Sequence, residues 1–322
     1  MKNKILQKII FKTGIPDLPE ILSGQLAPSE LQSLMLEVYD LQSGFITISK
    51  TYHEYLKNRF VQPSEISQED YLRFDLLAFS LLSQDFNAIE LSPVAPFGTC
   101  SALSSLSQKR IITTSRNTEV VADSTNFLAL ECARRRKALF RSDSRSASRI
   151  KLCSSHRLIR GQTFDPGKKL SAHFRIFALC TAGRDEGHLH FEIDSLKEHI
   201  SFYLDLFQKI LPEKDYPTVE TFITDFSRRH NERLLNTIAN PLTKKYSRFR
   251  FSFDPHRKAA KNYYDDICFR ITLTSEEGVE YDLVDGGFTD WTRKLLSNKK
   301  ERLMTSGIGT ELLLKAFNVN LG

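Results

Sequence analysis

The chain has 322 residues, 41% of them hydrophobic and 26% charged, with a formal net charge of +6 at pH 7. This composition is typical of a soluble globular protein, and no apolar run approaches the roughly 20 residues that cross a membrane. The first residues alternate lysine with apolar residues and lack the continuous apolar core of a signal peptide. We therefore expect a cytoplasmic protein without a membrane association, whose mild positive charge permits an anionic ligand but does not require one.

The cysteines indicate reduced thiols. Their number is odd, they lie far apart, and no Cys-x-x-Cys pair occurs, which argues against a disulfide framework or a zinc knuckle. Two of them sit among apolar strand residues, where we expect inert core thiols. The cysteines are Cys100, Cys132, Cys153, Cys180 and Cys268.

The N-terminal part of the chain has helical periodicity. Residues 1–65 are predicted to form a helical extension, in which Ser29 and Glu30 are placed to start one helix. Residues 67–86 repeat the pattern after a start at Ser67 and Asp70. A short strand then ends at Pro93 and Pro96. We therefore divide the chain into the extension 1–65 and a core of residues 66–322.

The core alternates strands and helices. Residues 109–140 predict a strand and then a helix from about Ser124, and residues 149–183 predict two strands joined by a loop. A helix over 193–211, a strand pair around "SEEG" (275–278) and a terminal helix after residue 305 follow. Antiparallel strands interspersed with helices predict an α+β fold, not a doubly wound parallel sheet.

A basic strand–loop–strand segment, "HRLIRGQTFDPGKKLSAHFRIF" (156–177), is the first candidate site. Arg157 and Arg160 lie on its first strand, and His173 on the second, with lysines in the loop between. The two arginines are three residues apart, so in an ideal strand they point to opposite faces and only one reaches a shared pocket. An anion-binding pocket and solvated edge charges both remain open.

Two further patterns have plainer interpretations that we favour. In "GHLHFE" (187–192), His188, His190 and Glu192 alternate as metal ligands on a strand do, yet no fourth ligand is evident, which favours half-buried strand histidines. Four cations spaced four apart favour a solvated charged face over an RNA contact, because the serines that follow fray a helix. These cations are Lys137, Arg141, Arg145 and Arg149.

The order of these segments resembles motifs 1, 2 and 3 of the class II aminoacyl-tRNA synthetases, and most of all the histidyl-tRNA synthetase catalytic core. "LLSQDFNAIELSP" (81–93) resembles motif 1 with Pro93 as its proline, "HRLIRGQ" resembles motif 2, and "GIGTELLL" (307–314) resembles motif 3. The likeness covers about residues 70 to 316. It implies a synthetase-like antiparallel sheet flanked by helices and a homodimer through the motif 1-like segment. Because the chain stops after motif 3, we expect no anticodon-binding domain.

The resemblance also implies site residues. Arg157 corresponds to the arginine that grips the α-phosphate of ATP and is the expected catalytic residue. The stretch "TTSRNTEVVADSTN" (113–126) loosely resembles the family's Arg-Pro-Glu-Gly-Thr, so Glu119 is either an amino-group contact or a surface acid. The other residues expected to bind cofactor are Arg160, His173, Phe177, Gly307, Gly309 and Glu311, and those expected to bind substrate are Tyr263, Tyr264, Gly286 and Gly287.

Several positions depart from the family pattern. Ile159 replaces the motif 2 acid, Ala259 stands where an arginine precedes the tyrosine pair, and Phe288-Thr289 replaces Arg-Tyr. In motif 3, Leu312 replaces the arginine that holds the γ-phosphate. A charge-assisted phosphate contact contributes about 1.5–3 kcal/mol, so these losses argue against ordinary ATP activation with Mg²⁺.

Two functions are consistent with these matches to the family motifs and these departures from them. The first is a stand-alone paralogue that does not charge tRNA and binds a small ligand, an amino acid or a nucleotide, or regulates a protein partner as the regulatory subunit of ATP phosphoribosyltransferase does. The alternative is an ATP-dependent ligase that adenylates a small carboxylic or amino acid, with Arg157 and Mg²⁺ stabilising the phosphates. Arg184 and the loop lysines support that alternative. RNA is not expected as a partner.

Overall fold

The computed structural model describes residues 4–104, 106–143, 145–161, 169–211, 218–228, 232–317 and 319–321, without the side chains of 232–235. The helices are α1 Lys4–Thr13, α2 Leu18–Glu20, α3 Pro28–Ser43, α4 Ile48–Lys57, α5 Gln68–Leu81, α6 Thr99–Leu103, α7 Ser124–Ser142, α8 His190–Ile210, α9 Glu232–Lys245, α10 Trp291–Leu295 and α11 Thr310–Ala316. The strands are β1 Phe86–Ala88, β2 Val94–Pro96, β3 Thr118–Val120, β4 Ile150–Ile159, β5 His173–Arg184, β6 Thr218–Asp225, β7 Arg250–Phe253, β8 Ile267–Thr274, β9 Glu280–Thr289 and β10 Glu301–Gly309.

A large, mostly antiparallel sheet organises the core. Its order among the described strands is β1-β4-β5-β10-β9-β8-β6-β7, and only the two end pairs, β1 with β4 and β6 with β7, run parallel. β2 and β3 form a separate antiparallel pair. The predicted α+β architecture, an antiparallel sheet flanked by helices, is confirmed.

The two faces of the sheet are covered unequally. Successive strand residues point to opposite faces, so on β4 Leu152 packs with α7 whereas Cys153 packs in the cluster formed by α5 and α8. The α5/α8 face holds the larger core, which includes Phe74, Phe177 and Phe207. On the α7 face the helix contacts β4, β5 and β10, which leaves room for a cleft over β9.

The N-terminal helices form as predicted, with one start shifted. Ser67 caps α5 by accepting a hydrogen bond from the backbone of Asp70. α3 begins at Pro28, and Glu30 accepts a hydrogen bond of 2.7 Å from the backbone N–H of Ala27. The helices α1, α3 and α4 contain no buried residue. No described helix is long and apolar enough to cross a membrane.

The prediction of a histidine-bearing strand at 187–192 is wrong. β5 ends at Arg184, residues 187–189 have positive φ angles of 81°, 49° and 59°, and His190 is the first residue of α8. Three successive left-handed residues cannot continue a strand. Glu192 therefore lies on a helix, where it accepts a hydrogen bond from Arg302. The described residues include no group of three His, Cys, Asp or Glu side chains that could hold a metal ion.

The helix α7 ends where the serines were expected to fray it, so the four cations do not form one continuous stripe. α7 ends at Ser142, and the guanidinium of Arg149 turns to Glu186 and Asp194 instead. The remaining cations, Lys137, Arg141 and Arg145, are exposed, as expected for a solvated face. The segment β6–α9–β7 has no counterpart among the elements predicted from the sequence.

The cysteines are free, as predicted, and all five are buried, whereas burial was predicted only for Cys153 and Cys180. Burial raises the pKa of both Cys100 and Cys153 to about 12, so these thiols stay protonated at neutral pH.

Candidate ligand-binding cleft

A cleft of about 460 Å³ opens on the α7 face of the sheet. The start of α7, the segment before β8 and the central strands β9 and β10 enclose it. Its walls combine carboxylates, one guanidinium, tyrosine rings and bare glycine backbone. The lining residues include Asp123, Thr125, Arg160, Ile176, Tyr263, Tyr264, Asp285, Gly307 and Gly309.

Asp123 is the best-supported polar group of the cleft. It caps α7 by accepting a hydrogen bond of 3.0 Å from the backbone N–H of Thr125. The hydroxyl of Tyr263 donates to its Oδ2 at 2.9 Å and lies 2.7 Å from the Thr125 hydroxyl. Burial raises the pKa of Tyr263 well above its usual value, so the ring keeps its proton. The carboxylate is thus fixed at the cleft by a helix start and a neutral phenol.

A cation stands beside this carboxylate. Arg160 follows the last residue of β4, donates from Nε to the carbonyl of Ala122 at 2.7 Å, and places Nη2 3.8 Å from Asp123 Oδ2. The cleft therefore presents one carboxylate and one guanidinium close together. This pairing suits a ligand that carries both an ammonium and a carboxylate.

Gly287 makes room for the second tyrosine. A Cβ at this position would lie 2.8 Å from Cδ1 of Tyr264 and 2.5 Å from Cβ of Cys268, distances that real Cβ atoms do not adopt. Glycine thus lets the Tyr264 ring lie against β9. Tyr264 in turn packs edge-on against Tyr263, with ring centroids 4.9 Å apart.

Arg257 reaches the same face although its position in the sequence is out of register. Its Nη2 donates to Asp285 Oδ2 at 2.8 Å, and its side chain is almost fully buried. The family pattern would place an arginine at Ala259, so spacing alone misses this residue. Arg257 lies two residues before Ala259 and still reaches Asp285. This pairing depends on how the chain turns at 254–264, and sequence periodicity contains no information about that turn.

Arg157 lies elsewhere. It is on the face of β4 that α5 covers, and its Nη1 donates to Glu311 Oε2 at 3.0 Å and lies 2.8 Å from Nδ1 of His173. Its guanidinium also stacks over the ring of Tyr71, 5.2 Å from the centroid. Arg157 and Arg160 thus go to different sites, in agreement with their spacing.

Glu311 holds this second cluster together. It is 2% exposed and accepts hydrogen bonds from the hydroxyls of Tyr71 (2.7 Å) and Ser171 (2.8 Å) as well as from Arg157. Burial raises the pKa of its carboxyl. The hydrogen bonds from Tyr71 and Ser171 and the positive charge of Arg157 together lower that pKa by more than burial raises it, so the pKa lies below its usual value. The acid and the arginine that the resemblance assigned to ATP neutralise each other.

Three other expected site residues lie outside the cleft lining. Phe177 is fully buried and stacks on Phe202, because it is on the α5/α8 face of β5. Gly286 packs against Phe269 and Ser306. Glu119 is also fully buried, and it accepts hydrogen bonds from the backbone N–H groups of Gly98 and Cys100. Its role in the described structure is to cap the start of α6.

A smaller cavity of about 210 Å³ adjoins the cleft and shares Arg160 and Gly309 with it. Phe174 and Leu312 contribute apolar walls, and Lys169 lies at its edge. Leu312 stands where the motif 3 pattern has an arginine. Lys168 and the rest of the predicted basic loop lie outside the described residues. The described part of the site therefore has an apolar side chain at the motif 3 position where the family pattern has a cation.

Comparison with known proteins is informative at the level of structure. No protein-family model and no curated protein matches the chain in sequence. A histidyl-tRNA synthetase from S. aureus matches with a TM-score of 0.55 at 12% identity, over 80% of this chain and 68% of that one. An ATP phosphoribosyltransferase regulatory subunit/histidyl-tRNA synthetase from Bacillus halodurans C matches with a TM-score of 0.53 at 15% identity, over 80% and 83% of the two chains. The chain thus has a class II synthetase-like fold, similar to that of these two proteins.

Proposed function

We propose that the chain is a synthetase-like paralogue that binds a small amino acid-like ligand in the cleft and does not activate it with ATP. One observation carries this proposal: Arg157 pairs with Glu311 on the α5 side of β4, and neither residue lines the cleft. Recruiting Arg157 to a phosphate would break this pair and leave the buried Glu311, among the described residues, with the cation Lys315 alone, whose Nζ lies 3.4 Å from its Oε1. A protein that does not activate an amino acid does not charge tRNA.

The ligand class follows from the charges of the cleft. Asp123 suits an ammonium group, and the neighbouring Arg160 suits a carboxylate. In the family pattern Arg-Pro-Glu-Gly-Thr, the acid precedes the threonine by two residues, as Asp123 precedes Thr125. We therefore assign to Asp123 the amino-group contact that the sequence suggested for Glu119. The sequence analysis missed Asp123, although an Asp-Ser-Thr cap ahead of an apolar helix is a signal that could have pointed to it.

Asp123→Asn should weaken ligand binding by about tenfold or more, because the neutral amide no longer supplies a negative charge to pair with the ammonium. Asparagine caps helices as well as aspartate does, so the fold should be preserved. The measurement is a thermal-shift screen of the amino acids, followed by calorimetry on those that bind. The control is the double variant Arg157→Met/Glu311→Leu, which removes the closed pair and should leave the affinity unchanged. A strong loss in the double variant with none in Asp123→Asn would contradict the assignment.

The alternative is a ligase that adenylates its substrate. Arg160 and Arg257 keep two guanidinium groups on the cleft face, which is the observation in favour of ATP use. ATP–pyrophosphate exchange across a panel of amino acids separates the two functions. We expect no exchange above background, and robust exchange with any amino acid would favour the ligase.

The motif 1-like segment supports a homodimer. β1 lies at one end of the described sheet, and α5 presents Leu72 and Leu76 to solvent, 52% and 71% exposed. Leu76→Asp should therefore shift the protein from dimer to monomer in light scattering, since a charge cannot be buried in an apolar interface. Leu41→Asp in α3, where the leucine is 60% exposed, is the matched control and should remain dimeric. A wild-type monomer would overturn this proposal.

The structural likeness to a regulatory subunit also supports a protein partner.

A further inference from the structure

The helix α4 carries an apolar stripe that is open to solvent. Ile48, Tyr52 and Leu56 are spaced four residues apart and Tyr55 lies beside them, so the four side chains share one side of the helix. They are 42% to 92% exposed, and every other residue of α4 is exposed as well. A helix of this length is marginal in water on its own, and clustered exposed apolar side chains mark an interaction surface. This surface, which we call the α4 stripe, therefore needs a partner.

The next helix, α5, carries a second apolar stripe on the side that faces away from the core. Leu72, Leu76 and Phe79 have the spacing of one helix side and are exposed, whereas Tyr71 and Phe74 are buried. We call these three exposed residues the α5 stripe. Each stripe spans about seven or eight residues, or roughly 10–12 Å of helix. Because both stripes are open to solvent, α4 does not cover the α5 stripe of its own chain in the described structure.

The charges at the helix ends favour antiparallel packing of the two stripes. The last turn of α4 carries Lys57, and the first turn of α5 carries Glu69 and Asp70. Antiparallel packing brings Lys57 near these acids and sets the two helix dipoles against each other, whereas parallel packing would bring it to the uncharged last turn of α5. Glu69 already contacts Arg73, but both side chains are largely exposed, and such surface pairs contribute little. The two stripes therefore match in length, in apolar character and in charge.

We propose that the α4 stripe of one copy packs antiparallel on the α5 stripe of a second copy, so that α4 is an arm exchanged between two chains. The proposal rests on the homodimer proposed above and extends its interface, since α5 belongs to that interface. A two-fold axis forms the contact twice and covers both stripes of both copies. A second copy is the occupant that the charges favour, because the complementary surface for α4 is present on the same chain.

Disulfide crosslinking between two co-expressed versions of the full chain tests the arrangement. One version carries Leu56→Cys, and the other carries Leu72→Cys and a tag that changes its size. The native cysteines are all buried and do not compete. Antiparallel packing brings the two new cysteines together, so oxidised glutathione should produce the mixed crosslinked dimer. Ile48→Cys in place of Leu56→Cys is the matched control: it lies about 12 Å away along α4 and should not crosslink, because a disulfide needs Cα atoms within about 7 Å.

The outcomes separate this proposal from the homodimer itself. A wild-type monomer would overturn both. A dimer that gives no mixed crosslink would leave the α4 stripe to a different protein and overturn the exchanged arm alone, as would a crosslink through Ile48→Cys instead of Leu56→Cys.

The affinity of the dimer gives a second measurement. Tyr52→Asp should raise the dimer dissociation constant about tenfold or more in sedimentation equilibrium, because a charge cannot be buried in an apolar contact. Lys50→Asp places a carboxylate about 200° round the same helix and should leave the dissociation constant unchanged. Equal effects of the two variants would contradict the contact through the α4 stripe.

Discussion

Arg136→Met should lower the free energy of unfolding by about 3–5 kcal/mol, because it leaves a fully buried carboxylate without its cation. Arg136 on α7 and Glu301 at the start of β10 are both 0% exposed and joined by two hydrogen bonds of 2.9 Å. The same guanidinium donates to the backbone carbonyls of Ser148 and Ser146, which ties the segment before β4 to the helix. The single change therefore removes four hydrogen bonds at once.

Urea denaturation of three variants separates the charge from the packing. The double variant Arg136→Met/Glu301→Leu should recover most of the lost stability, since apolar groups of similar volume replace buried ion pairs at little cost. Arg134→Met, on the same helix but with an exposed guanidinium, should leave the unfolding free energy unchanged within error. A single variant as stable as the wild type, or a double variant no better than the single, would contradict the assigned role of the pair.

The protein should lose about 2 kcal/mol of stability between pH 7 and pH 5 through His199 alone. This imidazole is fully buried between Thr181 and Ser306, with Nε2 2.9 Å and Nδ1 2.7 Å from their hydroxyls. Burial, with a smaller effect from the charge of Lys151, lowers its pKa to about 3. An unfolded histidine titrates near 6.5. Below about pH 6.5 the unfolded state therefore binds a proton that the folded state does not bind. The stability decreases as the pH is lowered, until the native imidazole is itself protonated near pH 3.

His199→Gln should flatten this dependence, because glutamine does not titrate in the range. Some slope should remain, since burial also lowers the pKa of His156. Unfolding free energies from urea titrations at pH 7, 6 and 5 give the slope of stability against pH. These pH values lie above the range in which ordinary carboxylates take up a proton. The exposed His53→Gln is the control and should keep the wild-type slope. If His199→Gln also kept that slope, His199 would not be the buried neutral base described above.

The elements of the fold could be predicted largely from the sequence because they depend on local patterns. Ser67 with Asp70 marked the start of α5, and apolar alternation marked β4, β5, β8 and β9. The prediction failed at 187–192, where the alternation of two histidines suggested a strand but Gly187, His188 and Leu189 adopt left-handed conformations. Alternation over so few residues cannot distinguish a strand from a turn that leads into a helix.

The candidate site was only partly predictable. Tyr263, Tyr264, Gly307, Gly309 and Arg160 do line the cleft. Arg157 and Glu311 lie in a closed pair beneath α5, because the contacts that hold them are made by Tyr71, 240 residues before Glu311 in the chain. Pairing over that separation has no local sequence signature.

The sequence by itself therefore determined many of the elements and the loss of a cation at Leu312, but not the segment β6–α9–β7 or the central strand β10. Such features follow from residue type and from periods of two or 3.6 residues. Only the tertiary structure decided which side chains share a site. It brought Asp123 and Arg257 to the α7 face of the sheet and sent Arg157 and Phe177 to the opposite face. The physical reason is that charges are satisfied by whichever partners packing brings within hydrogen-bonding distance, and packing is a property of the whole chain.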